Sequence, residues 1–380
     1  MTRVAFVTTF CAHHRRRTFE TFAEKHDTTF YFFSAGDEWY WQQQHGVKRG
    51  EFHHEYLCGF RIGGTRITPT LPFKLLSGTY DIYLKCVNGR FAMPVTYLIA
   101  RLKHKPFILW TGIWMRLQTP AHRLLFPLTR WFYRHADAVV VYGEHVKNYL
   151  IAEGVASERI FVTTHAVDNE AHNRPVTQKE KDSVLLRLEI EPERKVVLYL
   201  GRLEESKGLD FLLRGFAAAG DNDAVLVLAG VGSARKKLEE TAEELGISDR
   251  VRFAGYVPSD ETTLLYSISA VYVLPSITTS DFKEPWGLVV NEAFNQGVPV
   301  IATDAVGAAA GGLVEDGVNG FVVPERDGPA LSRALARILR DGALREAMGR
   351  NALRKIAGWD NERMVSGFSE AIRYVTEKKR

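Results

Sequence analysis

The stretch DFKEPWGLVVNEAFNQGVPVIATD, residues 281–304, is predicted to form a loop, a short helix and a strand. Pro285 and Gly287 mark the helix start, because proline fits a first turn and glycine lets a ligand approach the backbone. The unpaired N–H groups of a helix start attract anions, so a phosphate is the natural ligand. Glu284 lies just before this start, and Glu292 in the second turn leans back toward it. Two carboxylates beside a phosphate site suit a nucleotide sugar, which carries phosphates in the middle and hydroxyl-rich groups at both ends.

The length and composition indicate a globular chain of two domains. The 380 residues are enough for two domains that each bury a core. Hydrophobic residues make up 46% and charged residues 25%, as in soluble proteins. The formal net charge of +4 is far below that of a dedicated nucleic-acid binder, so no nucleic-acid partner is expected. Anionic substrates or a membrane surface account for the basic bias equally well.

The cysteines and the first residues bear on the cellular compartment. Cys11, Cys58 and Cys86 form no CxxC pair, so the sequence predicts neither a disulfide framework nor a zinc site. No stretch approaches the roughly 18 to 20 apolar residues that span a bilayer, and MTRVAFVTTF is interpreted as a first strand rather than a signal peptide. We therefore expect a cytoplasmic protein, with peripheral contact at the inner membrane face left open.

Strand-like and helical segments alternate along the whole chain. In the first half the strand-like runs are residues 4–10, 29–33, 82–87, 107–110, 139–142 and 160–167. In the second half they are residues 196–200, 225–228, 251–254, 271–274, 300–302 and 321–323. Polar sequence between the halves predicts a linker near residues 169–174. The pattern favours two α/β domains, each with a doubly wound parallel sheet.

Four segments of the second half resemble a known family when taken together. They are VVLYLGRLEESKG from Val196, VLAGVGSARKKLEETAEELGISDRVRFAGYV from Val227, AVYVLPS from Ala270, and EPWGLVVNEAFNQGVPVIATDAVGAAAGGLVEDGVNGFVV from Glu284. In this order they resemble the retaining GT-B-fold glycosyltransferases of family four, whose signature is a Glu, seven residues and a second Glu. The resemblance implies two Rossmann-like domains that face each other across a cleft. We expect an acceptor-side domain at residues 1–170, joined by a crossover helix at 359–380, and a nucleotide-sugar-binding domain at 175–358.

The segment GRLEESKG supplies the cations of the predicted donor site. Arg202 and Lys207 flank a turn at the carboxyl end of a strand, which is the ligand-binding edge of an open α/β sheet. On local sequence alone, two solvated loop residues are the preferred interpretation. The resemblance instead implies that they hold the donor diphosphate and stabilise it as it leaves, an effect of about 3 to 4 kcal/mol by analogy with lost oxyanion donors. We assign catalysis to Arg202, Lys207 and Glu284. The predicted donor-binding residues are Gly201, Arg202, Lys207, Val257, Glu284, Trp286, Gly287, Leu288, Val289 and Glu292.

Two other segments imitate ligand motifs. The segment AGVGSARKK lacks the third glycine of a dinucleotide fingerprint because Arg235 occupies that position, so a tight turn near the donor is favoured. The DND of residues 221–223 precedes its strand, which is the wrong sheet edge for a ligand. We interpret it as a solvated turn and expect no catalytic metal.

The candidate acceptor-side residues are His13, His14, Arg15, Trp110 and Thr111. The segment CAHHRRRTF places positive charge at a helix start, where it opposes the helix dipole, and an anion would relieve the conflict. A solvated basic turn is the alternative. Many relatives carry a glycine-rich loop here and a histidine near the Thr111 position, and this chain has neither. Trp110 could stack on a sugar, or it could be a core residue without such a role.

The segment RLLFPLTRWFYRHAD, from Arg123, mixes basic and aromatic residues in a helical pattern. Such a helix suits either a surface that rests on anionic lipid or a helix packed on a sheet. We favour packing, with the arginines directed outward. At most weak membrane contact is expected.

The resulting hypothesis is a metal-independent, retaining glycosyltransferase without a cofactor, whose substrates are a nucleotide diphosphate sugar and an acceptor hydroxyl on a glycan, a lipid-linked glycan or a small molecule. The resemblance implies front-face displacement, in which the leaving diphosphate helps to deprotonate the acceptor. The alternatives are a nucleotide-sugar epimerase or phosphorylase on the same fold, or a non-catalytic sugar-nucleotide-binding protein. The sequence identifies neither the base, the donor sugar, the acceptor nor the oligomeric state, because a few pocket atoms decide specificity.

Overall fold

The computed structural model describes residues 2–34 and 52–378. The chain divides into two compact units. The first runs to Val167 and resumes at Asp360, and the second comprises Asp168–Trp359 together with Leu117–Thr119. Each unit contains a parallel sheet with helices, so the predicted α/β class with two parallel sheets is confirmed.

The elements that follow are numbered in chain order. The strands are β1 (Arg3–Thr8), β2 (Asp27–Phe32), β3 (His54–Tyr56), β4 (Phe60–Ile62), β5 (Thr65–Ile67), β6 (Ile82–Cys86), β7 (Phe107–Thr111), β8 (Ala138–Val141), β9 (Ile160–Val162), β10 (Lys195–Leu200), β11 (Ala224–Ala229), β12 (Val251–Gly255), β13 (Ser269–Leu274), β14 (Val300–Thr303) and β15 (Gly320–Val323). The helices are α1 (Arg16–Lys25), α2 (Thr70–Ser77), α3 (Ala92–Leu102), α4 (Pro120–His135), α5 (Glu144–Ala152), α6 (Asn169–His172), α7 (Gln178–Arg187), α8 (Leu209–Ala219), α9 (Arg235–Glu244), α10 (Thr262–Ser267), α11 (Leu288–Asn295), α12 (Gly307–Ala310), α13 (Gly328–Arg340), α14 (Gly342–Ala357) and α15 (Asn361–Glu377).

The sheet of the first unit has the strand order β3-β2-β1-β6-β7-β8-β9 and all its pairs are parallel. Its central strands are buried on both faces, which is why they appear in the sequence as continuous apolar runs. Phe6 on β1 contacts Phe19 and Phe22 of α1 at centroid distances of 5.5 and 5.3 Å. The strand order reverses between β1 and β6, the switch point at which open α/β sheets bind ligands.

Helix α15 returns to the first unit. Asn361 Nδ2 donates to the Val167 carbonyl at 2.9 Å, and Thr163 Oγ1 donates to the Met364 carbonyl at 2.6 Å. Phe368 lies 6.0 Å from Phe6 between ring centroids, inside the core of the first sheet. The last described helix therefore completes a core that the first residues begin.

The sheet of the second unit has the strand order β12-β11-β10-β13-β14-β15, again with parallel pairs. Its strand order reverses between β10 and β13. The segments that leave these two strands are residues 201–208 and 275–287, which contain the predicted donor cations and Glu284. The switch point thus brings together two segments that are far apart in the sequence.

Several predicted boundaries differ from the structure. Residues 169–174, predicted to be a linker, begin with α6, and Asn295 Nδ2 of α11 donates to Asn169 Oδ1 at 2.9 Å. The predicted strand at residues 160–167 ends at Val162. Strand β3 and the antiparallel pair β4–β5 were not predicted, because these three-residue strands lack buried apolar residues. The predicted domains also include residues 1, 35–51 and 379–380, which lie outside the described part.

Candidate functional site

The carboxyl edge of the second sheet is built around two closely packed turns. Gly230 has φ +146° and the turn after β11 passes directly over Gly201, so a Cβ at Gly230 would collide with the Gly201 carbonyl. The backbone of Gly201 also donates to the Ala229 carbonyl at 2.9 Å. The two predicted glycine turns, GRL and AGVG, therefore lie against each other and leave no room for a side chain between them.

Arg202 lies at this edge with 34% of its side chain exposed. Its carbonyl accepts a hydrogen bond from Tyr199 Oη at 2.7 Å, which fixes the backbone. Its Nη1 donates to Glu204 Oε1 at 2.6 Å. A partly exposed guanidinium on a fixed backbone is suited to bind an anionic ligand from solvent.

Lys207 and Glu284 form an ion pair that is almost completely buried. Their side chains are only 10% and 12% exposed, and Lys207 Nζ donates to Glu284 Oε2. Ser276 Oγ donates to the same carboxylate oxygen at 3.0 Å, and Lys207 Nζ lies 4.6 Å from the centroid of the Phe282 ring. The expectation of a solvent-facing Lys207 was therefore wrong. Its partners lie on the segment after β13, and local sequence could not reveal that they cover it.

The backbone around Glu284 is held by the segment after β14. The Glu284 carbonyl accepts from Gly307 N at 3.0 Å, and the Trp286 carbonyl accepts from Ala308 N at 2.8 Å. Gly287 has φ +94°, and a Cβ there would approach Leu274 Cδ2 to 2.6 Å, so glycine is required. It precedes α11, whose first turn has no side-chain cap. The helix start predicted for a phosphate is thus formed at residues 287–288.

Glu292 accepts a hydrogen bond from Tyr266 Oη at 3.1 Å. Burial raises the pKa of the Glu292 carboxyl, against the opposing influence of His172 and of the Tyr266 hydrogen bond. Glu292 thus has partners separate from those of Glu284. The two carboxylates differ in environment, one paired with a lysine and one held by a phenol.

The other predicted donor residues are placed differently from one another. Val257 follows β12 and is partly exposed, as are Leu288 and Val289 in the first turn of α11. The Trp286 side chain is 2% exposed, donates through Nε1 to Asn291 Oδ1 at 2.9 Å and stacks on Trp359 at 5.9 Å. This burial gives the Trp286 ring a packing role, and a donor contact by it stays a prediction.

In the first unit, Arg15 contacts the rings that line the carboxyl edge. Its Cζ lies 4.7 Å from the centroid of the Trp110 ring, and its Nη2 donates to Tyr142 Oη at 3.1 Å. His165 lies under the guanidinium, with Nε2 2.9 Å from Nη2 and Nδ1 3.2 Å from Nη1. Arg15 and Trp110, both predicted acceptor-side residues, are therefore in contact.

The remaining acceptor-side candidates are His13, His14 and Thr111. His13 and His14 are partly exposed, with ring centroids 5.2 Å apart. Thr111 is 1% exposed, and its Oγ1 accepts from Ile113 N at 3.2 Å. This hydrogen bond shapes the segment after β7. A direct role of Thr111 with an acceptor stays a prediction.

Sequence reasoning missed His165, Tyr142 and Lys85. His165 is 3% exposed and its ring stacks on Tyr142 with centroids 4.0 Å apart. Burial, Arg15 and His14 together hold the pKa of His165 well below its ordinary value of 6.5. Lys85, at the end of β6, is completely buried. The signal that could have found these residues is their position at or just after the ends of parallel strands.

The DND segment, residues 221–223, differs in one residue from its predicted environment. Asn222 and Asp223 are exposed and form a turn, as predicted, but Asp221 is 8% exposed and accepts from Lys195 Nζ at 2.9 Å, so the first aspartate is not solvated. Among residues 2–34 and 52–378, no three His, Cys, Asp or Glu side chains are grouped to hold a metal ion. None of the described helices combines the length and the apolar character needed to cross a membrane.

Helix α4 packs on one side and exposes apolar residues on the other. Phe132 and Tyr133 are buried, whereas Leu124 is 80% and Leu128 50% exposed. Arg134 is exposed and Arg130 partly exposed, and the Nε atoms of Arg130 and Arg134 both donate to the Glu153 carbonyl, at 3.1 and 2.8 Å. Glu153 thus holds the helix against α5. Arg123 and the leucines, by contrast, face solvent.

Two parallel-sheet α/β units with paired cations and carboxylates at the second switch point define a protein of the GT-B class. Residues 184–355 match the family model described as "Glycosyl transferases group 1", and residues 17–171 match "Glycosyltransferase Family 4". These matches cover most of the chain. The protein belongs to this glycosyltransferase family, as its motifs predicted.

Individual relatives agree with this assignment. The chain is 32% identical over 187 residues to the uncharacterized glycosyltransferase MJ1607 of Methanocaldococcus jannaschii, covering 48% of this chain and 46% of that protein. It is 27% identical over 287 residues to the alpha-D-kanosaminyltransferase of Streptomyces kanamyceticus, covering 71% of each. The aligned part thus spans about half the length of the first relative and more of the second.

Among solved structures, the fold is similar to that of the Anabaena protein HepE in complex with UDP. The TM-score is 0.78 at 19% sequence identity, with 98% of this chain and 100% of that chain covered. At this identity the similarity establishes the GT-B fold.

Proposed function

We propose that the protein is a metal-independent, retaining glycosyltransferase that moves a sugar from a nucleotide diphosphate sugar to an acceptor hydroxyl. The observation that carries the proposal is the buried Lys207–Glu284 pair at the second switch point. Its members belong to the two segments that also contain Arg202 and lead into α11. Family membership and a fold shared with HepE, which is known in complex with UDP-glucose, support a nucleotide-sugar donor. Nucleotide sugars carry the negative charge that these groups are suited to hold.

The donor diphosphate is assigned to two cations of different exposure. Arg202 is open to solvent and offers a planar fork, whereas Lys207 is a point charge already bonded to Glu284. A diphosphate therefore competes with Glu284 for Lys207, or joins the pair as a third member. Either arrangement places positive charge where negative charge grows as the leaving group departs.

In the proposed reaction the bond between the anomeric carbon and the diphosphate oxygen breaks, and the bond to the acceptor oxygen forms on the same face of the sugar. The acceptor proton passes to the departing diphosphate, so no protein nucleophile is required. The Glu284 carboxylate, fixed by Ser276 and by backbone hydrogen bonds of its own segment, accepts hydrogen bonds from sugar hydroxyls and stabilises positive charge at the anomeric carbon. Glu292 is assigned to the ribose hydroxyls.

The proposal is tested by nucleotide release from a panel of nucleotide sugars, in the presence of EDTA. Sugar-dependent release that survives EDTA, with a product anomer of unchanged configuration by NMR, is expected. An absolute requirement for Mn²⁺ or Mg²⁺ would overturn the assignment of charge neutralisation to Arg202 and Lys207. Binding without release or transfer would indicate a non-catalytic sugar-nucleotide-binding protein, and a changed donor sugar would indicate an epimerase.

A weak peripheral contact with anionic lipid is proposed for the exposed side of α4. Leu124, Leu128 and Trp131 are 80%, 50% and 40% exposed, and the exposed Arg123 adds positive charge beside them. Flotation with anionic liposomes at low salt tests this contact. Replacement of Leu124 and Leu128 by Ser is expected to abolish flotation. Arg130 is not a suitable probe, because its hydrogen bond to Glu153 makes any effect of its replacement structural as well.

A further inference from the structure

In the described part of the chain, Arg15 contacts two aromatic rings and an imidazole rather than a carboxylate. Its guanidinium stacks on Trp110, donates to Tyr142 Oη and lies beside both ring nitrogens of His165. Only one nitrogen of a neutral imidazole can accept a hydrogen bond, so His165 satisfies one of the two contacts. Within the described residues, no carboxylate pairs with Arg15.

The pKa shifts of this cluster indicate that the His165 and Tyr142 side chains beside Arg15 are uncharged. Burial lowers the pKa of Arg15, and burial with Arg15 and His14 holds the pKa of His165 far below 6.5, so the imidazole is neutral at neutral pH. Burial also raises the pKa of Tyr142, so the phenol keeps its proton. A cation removed from water is costly unless an anion accompanies it.

A second buried cation lies at the same sheet edge. Lys85 is completely buried, and its Nζ donates to the carbonyls of Cys86 at 2.8 Å and Asn88 at 2.6 Å. Burial acts to raise the pKa of Cys86, but Lys85 and Thr8 outweigh it and lower that pKa. In the described residues no carboxylate contacts Lys85 either.

Two buried polar atoms near the cluster also lack a hydrogen-bond partner among the described residues, Trp110 Nε1 and Thr164 Oγ1. Trp110 lies directly beneath Arg15, and Thr164 precedes His165 in the chain. Unsatisfied buried donors are uncommon in folded proteins and point to a missing partner. The edge therefore offers a cation and donors, and it lies at the β1/β6 switch point of the first sheet.

We infer that this edge, with Arg15 as its main group, binds an anionic substituent of the acceptor, either a phosphate or a carboxylate. Arg15 is partly exposed, so its outer N–H groups can reach such a ligand. A guanidinium binds both anions through two parallel hydrogen bonds. The inference rests on the proposed function, since it specifies the acceptor class of that reaction.

The first experiment does not depend on glycosyl transfer. Inorganic phosphate and acetate are titrated separately, by thermal shift and calorimetry, into full-length protein that carries Arg202→Ala so that the donor site does not contribute. The variants are Arg15→Met, which keeps the apolar stem, Arg15→Lys, which keeps the charge, and Arg17→Met as control. Arg17 lies two residues further along in α1, is exposed, and forms an ion pair with Glu24 at 3.8 Å.

Arg15→Met is expected to weaken phosphate binding by about 10- to 100-fold, the size of lost hydrogen bonds to a charged group. Arg15→Lys should lose less, and Arg17→Met should bind as the parent protein does. Without phosphate, Arg15→Met should melt at an equal or higher temperature, because a partly buried cation that has no carboxylate partner among the described residues has been removed. Equal phosphate affinity in Arg15→Met and its parent would overturn the inference, as would a clearly lower melting temperature that Arg15→Lys restores without restoring phosphate affinity.

The second experiment connects the site to the acceptor. Nucleotide release from a donor is measured with glucose, glucose 6-phosphate and glucuronate as acceptors, in the parent and in Arg15→Met. Stimulation by the phosphate or the carboxylate sugar, with an acceptor KM that rises at least tenfold in the variant while donor KM is unchanged, is expected. If glucose stimulates release as strongly as the two anionic sugars, and Arg15→Met leaves the KM of all three acceptors unchanged, the inference is overturned and the proposed function stays intact. Absence of donor turnover with a normal phosphate titration would instead count against the proposed function alone.

Discussion

The two switch points of this molecule treat positive charge in opposite ways. At the second sheet, Lys207 is buried with Glu284, and the pair is completed by Ser276. At the first sheet, Arg15 is partly exposed and lies against Trp110 and the His165 imidazole, with no carboxylate beside it among the described residues. One edge is electrically balanced before any ligand arrives, and the other is not.

This difference indicates different tasks. If Lys207 binds the donor diphosphate as proposed, the ligand opens a balanced pair that can close again on release. An unbalanced cation gains most from an anion that the protein itself does not supply. The comparison therefore predicts opposite effects on stability. Removal of Lys207 should destabilise the protein, whereas removal of the Arg15 charge should leave its stability unchanged or raise it.

The largest effect is expected from separating the buried pair. Lys207→Met should lower the free energy of unfolding by about 3 to 5 kcal/mol, because it leaves the Glu284 carboxylate buried without its cation. Addition of Glu284→Gln should recover much of that loss. Urea unfolding of the two single variants and the double variant measures the coupling. If the loss of unfolding free energy in the double variant equals the sum of the losses in the two single variants, Lys207 and Glu284 do not act as a pair.

Glu284→Gln tests the role of the Glu284 charge in catalysis. It should reduce kcat by roughly 10² or more, the scale of a lost charge-stabilising group. The amide keeps an oxygen that can accept the Ser276 hydrogen bond, so the position of the segment is preserved. Steady-state kinetics decides the point, with Glu204→Gln as a control carboxylate that contacts Arg202. A Glu284→Gln variant with normal kcat and a raised donor KM would exchange the roles proposed for the two glutamates.

Glu292→Gln should act mainly on donor affinity. Because Glu292 is assigned to the ribose, its contact is similar in ground and transition states, and donor KM should rise about tenfold with little change in kcat. Burial raises the pKa of Glu292, so in the parent protein its ionisation lowers stability as pH rises above its ordinary value of 4.5. The free energy of unfolding of the variant, minus that of the parent, should therefore be larger at neutral pH than at about pH 4. A fall in kcat with unchanged KM would contradict the ribose assignment.

The smallest expected effect concerns His165. Its folded pKa lies well below 6.5, so the unfolded chain takes up a proton as pH falls past that value while the folded protein does not. Stability contributed by the neutral ring is present above 6.5 and is lost progressively below it, by under about 1 kcal/mol between about pH 7 and 6. Urea unfolding at several pH values measures this slope. His165→Gln should flatten it, and an unchanged slope would place the titrating group elsewhere.

The sequence predicted both sheets and the segments that leave their strands. Apolar runs such as residues 196–200 and 225–228 could be recognised because strands buried on both faces contain few polar residues. The same local reasoning placed Lys207 in solvent, because burial of a charge depends on a partner that lies 77 residues away. Tyr142 and His165 were missed for a related reason, since their importance comes from Arg15, which lies on a different strand's loop. Pattern predicts where side chains leave a sheet edge, and only the fold decides which of them meet.

The return of α15 to the first core also makes the second unit an insertion within the first. Residues 168–359 form one uninterrupted segment of the chain, whereas the first unit needs residues from both before and after it. Apart from Leu117–Thr119, the second unit can therefore be expressed as a single stretch to study nucleotide binding alone. Loss of the residues after 359 would damage the core that contains Phe6, at the opposite end of the chain, and would leave the sheet of the second unit whole.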